Sequence, residues 1–202
     1  DFTVTVVDID NDGHGEVLVG APETDDGVGA AHLYLSNPLQ SVPHVSWNGD
    51  PTDERFGVTV TNAGDVDGNG LDDVLISATP FANLLTTTGP GRVYLWQTQP
   101  GQAFLAGATM EGEQDGCEFG LGLAGVGDIN ADGYDDFVVG SPSYTELTNP
   151  PWFELHFEGR AYVYLGGPDL DADADLVLDP PSATALVEAS YGESVAAVGD
   201  IS

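Results

Sequence analysis

The chain has 202 residues, 34 of them Asp or Glu against three Arg and no Lys, for a formal net charge of −31. That balance excludes nucleic-acid binding, which needs a basic footprint, and an anionic membrane surface repels the chain equally. The single cysteine, Cys117, excludes an intrachain disulfide or cysteine-built zinc site, while 41% hydrophobic residues in short runs support a packed core over disorder.

In chain order, the first element is an acidic bend, Asp8-Ile-Asp10-Asn-Asp12-Gly13. An apolar run ending in a small-residue turn follows, Val17-Leu-Val-Gly-Ala-Pro22, and then a glycine opens an alternating strand, Gly29-Ala-Ala-His-Leu-Tyr-Leu35. The pattern restarts at Phe56-Gly57 with a strand over Val58–Thr61. Its bend is Asp65-Val-Asp67-Gly-Asn69-Gly70, its run Val74-Leu-Ile-Ser-Ala-Thr-Pro80 and its alternating strand Gly91-Arg-Val-Tyr-Leu-Trp96. A third copy opens on Phe119-Gly120, bends at Asp128-Ile-Asn130-Ala-Asp132-Gly133 and runs through Phe137-Val-Val-Gly-Ser-Pro142. It continues with Gly159-Arg-Ala-Tyr-Val-Tyr-Leu165 and Asp175-Leu-Val-Leu178. Tyr191-Gly192 and Gly199-Asp200 begin a fourth. The Gly of each aromatic pair stands eight residues before the first Asp of its bend, and those Asp residues are 57, 63 and 72 apart. This is an internal repeat.

Each unit reads as four strands, with the acidic bend as the hairpin between the first and second. The short continuous second run and the aliphatic–aromatic third both have two apolar faces. Helical periodicity is absent, and 27 Gly and 13 Pro punctuate the chain. Four-stranded sheets with two apolar faces must be sandwiched by neighbours, so the expected fold is all-β, an array of antiparallel β-propeller blades. One array spans 1–202. Blade one is 1–55 and lacks its N-terminal part, blade two is 56–118, blade three 119–190, and 191–202 starts a fourth. No basic and apolar leader pattern opens the chain, which starts on Asp1 rather than Met, so it is read as excised from a longer protein with any targeting signal outside it. No run reaches the roughly 18 apolar residues of a spanning helix. Three blades do not close a ring of about four to eight. The chain is therefore read as a slice of a larger propeller, or as a unit completed by other copies.

The Phe-Gly pair, acidic loop and Gly-Ala-Pro turn together resemble FG-GAP repeats, the blades of integrin α-type β-propellers, over nearly the whole chain. Tyr191 replaces Phe, while Ser77-Ala-Thr-Pro80 and Gly140-Ser-Pro142 replace Gly-Ala-Pro. The resemblance implies nine-residue calcium loops and a ligand face opposite them.

Oxygen ligands two residues apart in a tight bend suit a hard cation. The first loop offers Asp8, Asp10, Asp12, the His14 carbonyl and Glu16. The second offers Asp65, Asp67, Asn69, the Leu71 carbonyl and Asp73, and the third Asp128, Asn130, Asp132, the Tyr134 carbonyl and Asp136. An EF-hand closes at position twelve, but here that position is Val19, Ile76 or Val139, and the closing carboxylate falls at position nine. A solvated acidic turn is the competing reading. Against it, clustered carboxylates repel by several kcal/mol at an effective dielectric of about 20. About three calcium ions are expected, one per complete loop, in preference to magnesium, which resists dehydration. They would take the net charge from −31 only to −25.

Other signals read structurally. Gly120-Leu-Gly122-Leu-Ala-Gly125 matches a dinucleotide fingerprint but precedes a β-hairpin rather than a helix. Asp169 to Asp175 lacks a turn glycine and reads as a solvated turn. His14, His32, His44 and His156 have no catalytic partners, Cys117 is expected as a small buried or semi-buried thiol, and Arg92 and Arg160 are expected to form structural ion pairs. The interval after the small-residue turn grows from seven to eleven to seventeen residues across the units. The longest carries Trp152, Phe153, His156 and Phe157, a candidate partner contact whose alternative is packing on its own blade. The expected function is a calcium-binding extracellular module for adhesion or for protein or glycan binding, without catalysis. An accessory propeller of a secreted hydrolase or lyase and a unit of a surface fibre are the alternatives.

Overall fold

The computed structural model describes residues 3–51, 55–80, 89–145, 158–181 and 190–199. Valine, leucine and aromatic runs broken by Gly, Pro and Asp favour strands joined by tight turns. They form three four-stranded sheets. The first contains β1 (Val4–Val7), β2 (Glu16–Ala21), β3 (Ala30–Tyr34) and β4 (Val45–Asn48). The second contains β5 (Phe56–Gly64), β6 (Asp73–Ala78), β7 (Arg92–Gln99) and β8 (Ala103–Glu111). The third contains β9 (Leu123–Gly127), β10 (Asp136–Ser141), β11 (Arg160–Tyr164) and β12 (Leu176–Leu178). Each sheet is an antiparallel meander in chain order. Among the described residues there is no α-helix, and none long and apolar enough to cross a membrane.

Leu18 pairs with Leu33 across β2 and β3, and Val19 pairs with His32, so alternate side chains leave on opposite faces. Leu18, Leu33 and Trp47 point at the second sheet and meet Val74, Ile76 and Trp96 there. Trp47 anchors this layer, with its ring 5.7 Å from Trp96 and edge-on to Phe104 at 5.0 Å. The second sheet turns Leu75, Leu95 and Met110 the other way, against Phe137, Val139 and Tyr162 of the third. Sandwiched on both sides, β6 is buried along its whole length. In β2 only alternate residues are buried. Val4 and Val6, which pair with Val19 and Val17, are 53% and 58% exposed on a face that no described sheet covers. Sheets stacked through two apolar faces are propeller blades.

The aromatic–Gly pairs lock consecutive blades together. The Phe56 amide donates to the Val28 carbonyl (3.0 Å), Phe119 to Pro90 (3.0 Å) and Tyr191 to Glu158 (3.3 Å). Each acceptor immediately precedes the glycine that opens the third strand of the blade before. Those glycines, Gly29, Gly91 and Gly159, have φ of +89°, +95° and +74°. A Cβ on any of them would run into the backbone of Phe56, Phe119 or Tyr191 respectively. Gly20 and Gly140 press equally closely on Gly57 and Gly192. At the equivalent place in the second blade, the Ser77 hydroxyl accepts from the Thr59 amide (3.1 Å) and donates to its carbonyl (3.3 Å). The departure from Gly-Ala-Pro thus adds a buried hydroxyl with a partner.

All three arginines lie at the end of the sheets away from the acidic bends. Arg55 precedes β5, and Arg92 and Arg160 open β7 and β11. They pair with Glu23 (3.4 Å), Glu111 (3.2 Å), and Asp179 (2.7 Å) with Glu113 (3.1 Å), respectively. Arg160 also lies over the Tyr144 ring at 3.9 Å. Cys117 is buried, as its sequence position suggested.

Candidate metal centre

Each acidic bend joins the first two strands of its blade, and the three share one hydrogen-bond scaffold. The sixth-position glycines Gly13, Gly70 and Gly133 have φ of +82°, +87° and +97°, a turn that a side chain would strain. Their amides donate to the first aspartate of the loop: Asp8 at 3.0 Å, Asp65 at 2.8 Å and Asp128 at 2.9 Å. The seventh-position amides of His14, Leu71 and Tyr134 donate to Asp12, Asn69 and Asp132 (2.8, 3.0 and 3.0 Å). The second-position amides of Ile9, Val66 and Ile129 reach forward to the closing carboxylates Glu16, Asp73 and Asp136 (3.2, 3.1 and 2.9 Å).

This wrapping gathers carboxylates. Asp8, Asp10 and Glu16 each contribute an oxygen to a group lying within 4.8 Å of one another, and Asp65, Asp67 and Asp73 do the same. In the third loop Asn130 takes the third position and Asp132 the fifth, with the backbone pattern unchanged. The closing carboxylates have no meaningful exposure, at 2% for Glu16 and 0% for Asp73 and Asp136. Burial, with Asp67 and Asp65 repelling it, pushes the Asp73 carboxyl up to about 7. Burial raises Asp136 too, reinforced by Asp132 and Asp128. Asp12 shifts the other way, lowered first by the His14 amide and then by Asn37. A buried anion beside further anions is relieved by a divalent cation, which inverts the local electrostatics. Among the described residues, the buried Asp8 Oδ1 has no hydrogen-bond partner. All-oxygen donors, clustered anions and an orphaned carboxylate oxygen fit a hard cation of the calcium type.

Sequence spacing identifies the loop residues but misses those that hold them. Glu16 accepts from the Ser36 hydroxyl (3.0 Å), Asp73 from the Thr98 amide (2.7 Å) and Asp136 from the Gly166 amide (2.8 Å). A signal for them exists, since each stands seven residues after the third-strand glycine. Asn37 donates to Asp12 (3.2 Å), and Gln102 of the second blade donates to Asp10 (2.7 Å). Asp169 to Asp175 is mostly exposed between β11 and β12, as a solvated turn would be. Trp152, Phe153, His156 and Phe157 lie outside the described residues.

Stacked four-stranded sheets with acidic first hairpins define a β-propeller module of repeated blades. A family model described as FG-GAP repeat matches residues 2–34, 56–96 and 119–164, and the chain belongs to that family. It is similar to integrin alpha-5 of Xenopus laevis, 30% identical over 194 residues, covering 89% of this chain and 17% of the relative. It is also similar to integrin alpha-PS2 of Drosophila melanogaster, 34% identical over 171 residues (81% and 11%). Integrin alpha-8 of Homo sapiens is 26% identical over 204 residues (99% and 18%). The chain spans less than a fifth of the length of these curated relatives.

Proposed function

We propose that the chain is a calcium-stabilised, extracellular, integrin-like propeller module for adhesion or ligand binding, with no catalysis of its own. Blades divide at residues 56, 119 and 191, and further blades from the parent chain or from other copies complete the ring. The observation that carries the reading is the convergence of Asp8, Asp10 and Glu16, and of Asp65, Asp67 and Asp73, around buried closing carboxylates. Three ions would be held by Asp8, Asp10, Asp12, Glu16 and the His14 carbonyl; by Asp65, Asp67, Asn69, Asp73 and the Leu71 carbonyl; and by Asp128, Asn130, Asp132, Asp136 and the Tyr134 carbonyl. Bound calcium supplies positive charge that cancels carboxylate repulsion at the hairpins. Loops of this donor set suit the outside of cells, where calcium is abundant. The protein or glycan ligand is placed on the opposite face, where the second and third strands connect.

A thermal melt with calcium or chelator tests this. At about ten times the dissociation constant each site adds about 1.4 kcal/mol. Three sites then raise the melting midpoint by about 10 °C in a chain of this size. An unchanged midpoint would sink the proposal.

A further inference from the structure

We infer that Asp135 is a positioning residue that couples cation binding in the second and third loops, an inference that rests on reading those loops as calcium sites. Asp135 stands at the eighth position of the third loop, between the proposed ligands Tyr134 and Asp136, yet its side chain serves the neighbouring blade. Its Oδ2 accepts the amide of Asp65 at 2.9 Å, and its own amide donates to the Asp65 carbonyl at 3.0 Å. Asp65 is the first ligand of the second loop and also receives the Gly70 amide. The two loops are pressed together around this pair. A Cβ on Gly64 would collide with the Asp135 side chain, and one on Gly68 would meet the Tyr134 ring at 2.6 Å. The Gly167 amide donates to the Val66 carbonyl at 2.8 Å. Ordering the third loop around an ion therefore fixes Asp135, and Asp135 fixes the backbone of a ligand in the second.

Thermodynamic reciprocity requires the second loop to favour the third by the same factor. The other junction has a weaker version of the contact. Asp72 Oδ2 lies 3.4 Å from the Asp8 amide and takes a shorter bond, 2.7 Å, from Asn62. The first loop has Gly15 at its eighth position and no carboxylate to offer.

The amides of Gly70 and Gly133 each bond the first aspartate of their own loop, so their NMR signals report the two sites separately during calcium titration. Disabling the third loop with Asp132→Ala should weaken the midpoint read at Gly70 about fivefold or more. In an Asp135→Ala background the same Asp132→Ala change should leave the Gly70 midpoint unmoved. Asp135→Asn keeps an acceptor oxygen without the charge and should restore the coupling. A Gly70 midpoint indifferent to Asp132→Ala, or shifted equally with and without Asp135, overturns the coupling while leaving the calcium reading intact. If neither glycine responds in the wild-type chain, both fail together.

Discussion

Asp73 is a carboxylic acid with no exposed surface, held by two backbone amides and facing two further carboxylates. Without a cation its proton is retained up to about 7, against an ordinary value of 3.8. A folded-state value raised above the unfolded one means that the stabilisation is full below 3.8 and lost as pH rises towards about 7. The chelated chain should therefore melt at progressively lower temperature between those limits. Asp136, raised by the same causes, adds to the trend in the same direction. Calcium must displace those protons, so its stabilising increment should be larger at pH 8 than at pH 5. Melts at the two pH values, with and without calcium, measure it; an equal increment at both would contradict the assignment of Asp73 as a ligand.

At the level of elements, the junction between blades is a backbone contact that only glycine permits. Gly91 and Gly89 both sit at left-handed φ, +95° and +93°, but a Cβ at Gly91 meets Phe119 whereas one at Gly89 meets none of the described residues. Ala at position 89 should cost about 1–2 kcal/mol of backbone strain. Ala at position 91 should cost a further 1–3 kcal/mol or so from the collision, and urea denaturation of the two variants reads the difference. These landmarks are why so much of the blade was legible: the aromatic–Gly pair, the bend and the third-strand glycine each answer to a strict steric or electrostatic demand. The supports of the closing carboxylates answer to a looser one. Ser36 uses a hydroxyl, but Thr98 and Gly166 use backbone amides, which place no condition on side-chain type. Asp72 and Asp135 were hidden for another reason, since their partners lie in the preceding blade and depend on the spacing between sheets. Exposure followed stacking in the same way: Ile9 and Val66 are buried in the layers between blades, while the equivalent Ile129 is 57% exposed.

Across the whole molecule, the charge of −31 is self-repelling, and the three proposed calcium ions would remove only a fifth of it. Screening should supply part of the rest. Raising NaCl from about 0.01 M to 1 M shortens the screening length from about 30 Å to about 3 Å. The chelated chain should gain several degrees of melting temperature over that range, and the calcium-loaded chain less, because its densest repulsion is already cancelled. Salt that leaves the chelated midpoint unmoved would show that the acidity is too dispersed to matter to the fold. The three arginines, all at the end remote from the bends, make this uneven. One rim neutralises part of its acidity with its own guanidinium groups, while the other, where His14 lies against Asp12, carries no arginine or lysine and draws its counter-charge chiefly from the surrounding medium. Dilution or chelation should therefore loosen the molecule from that second rim first, with the guanidinium rim the last to open.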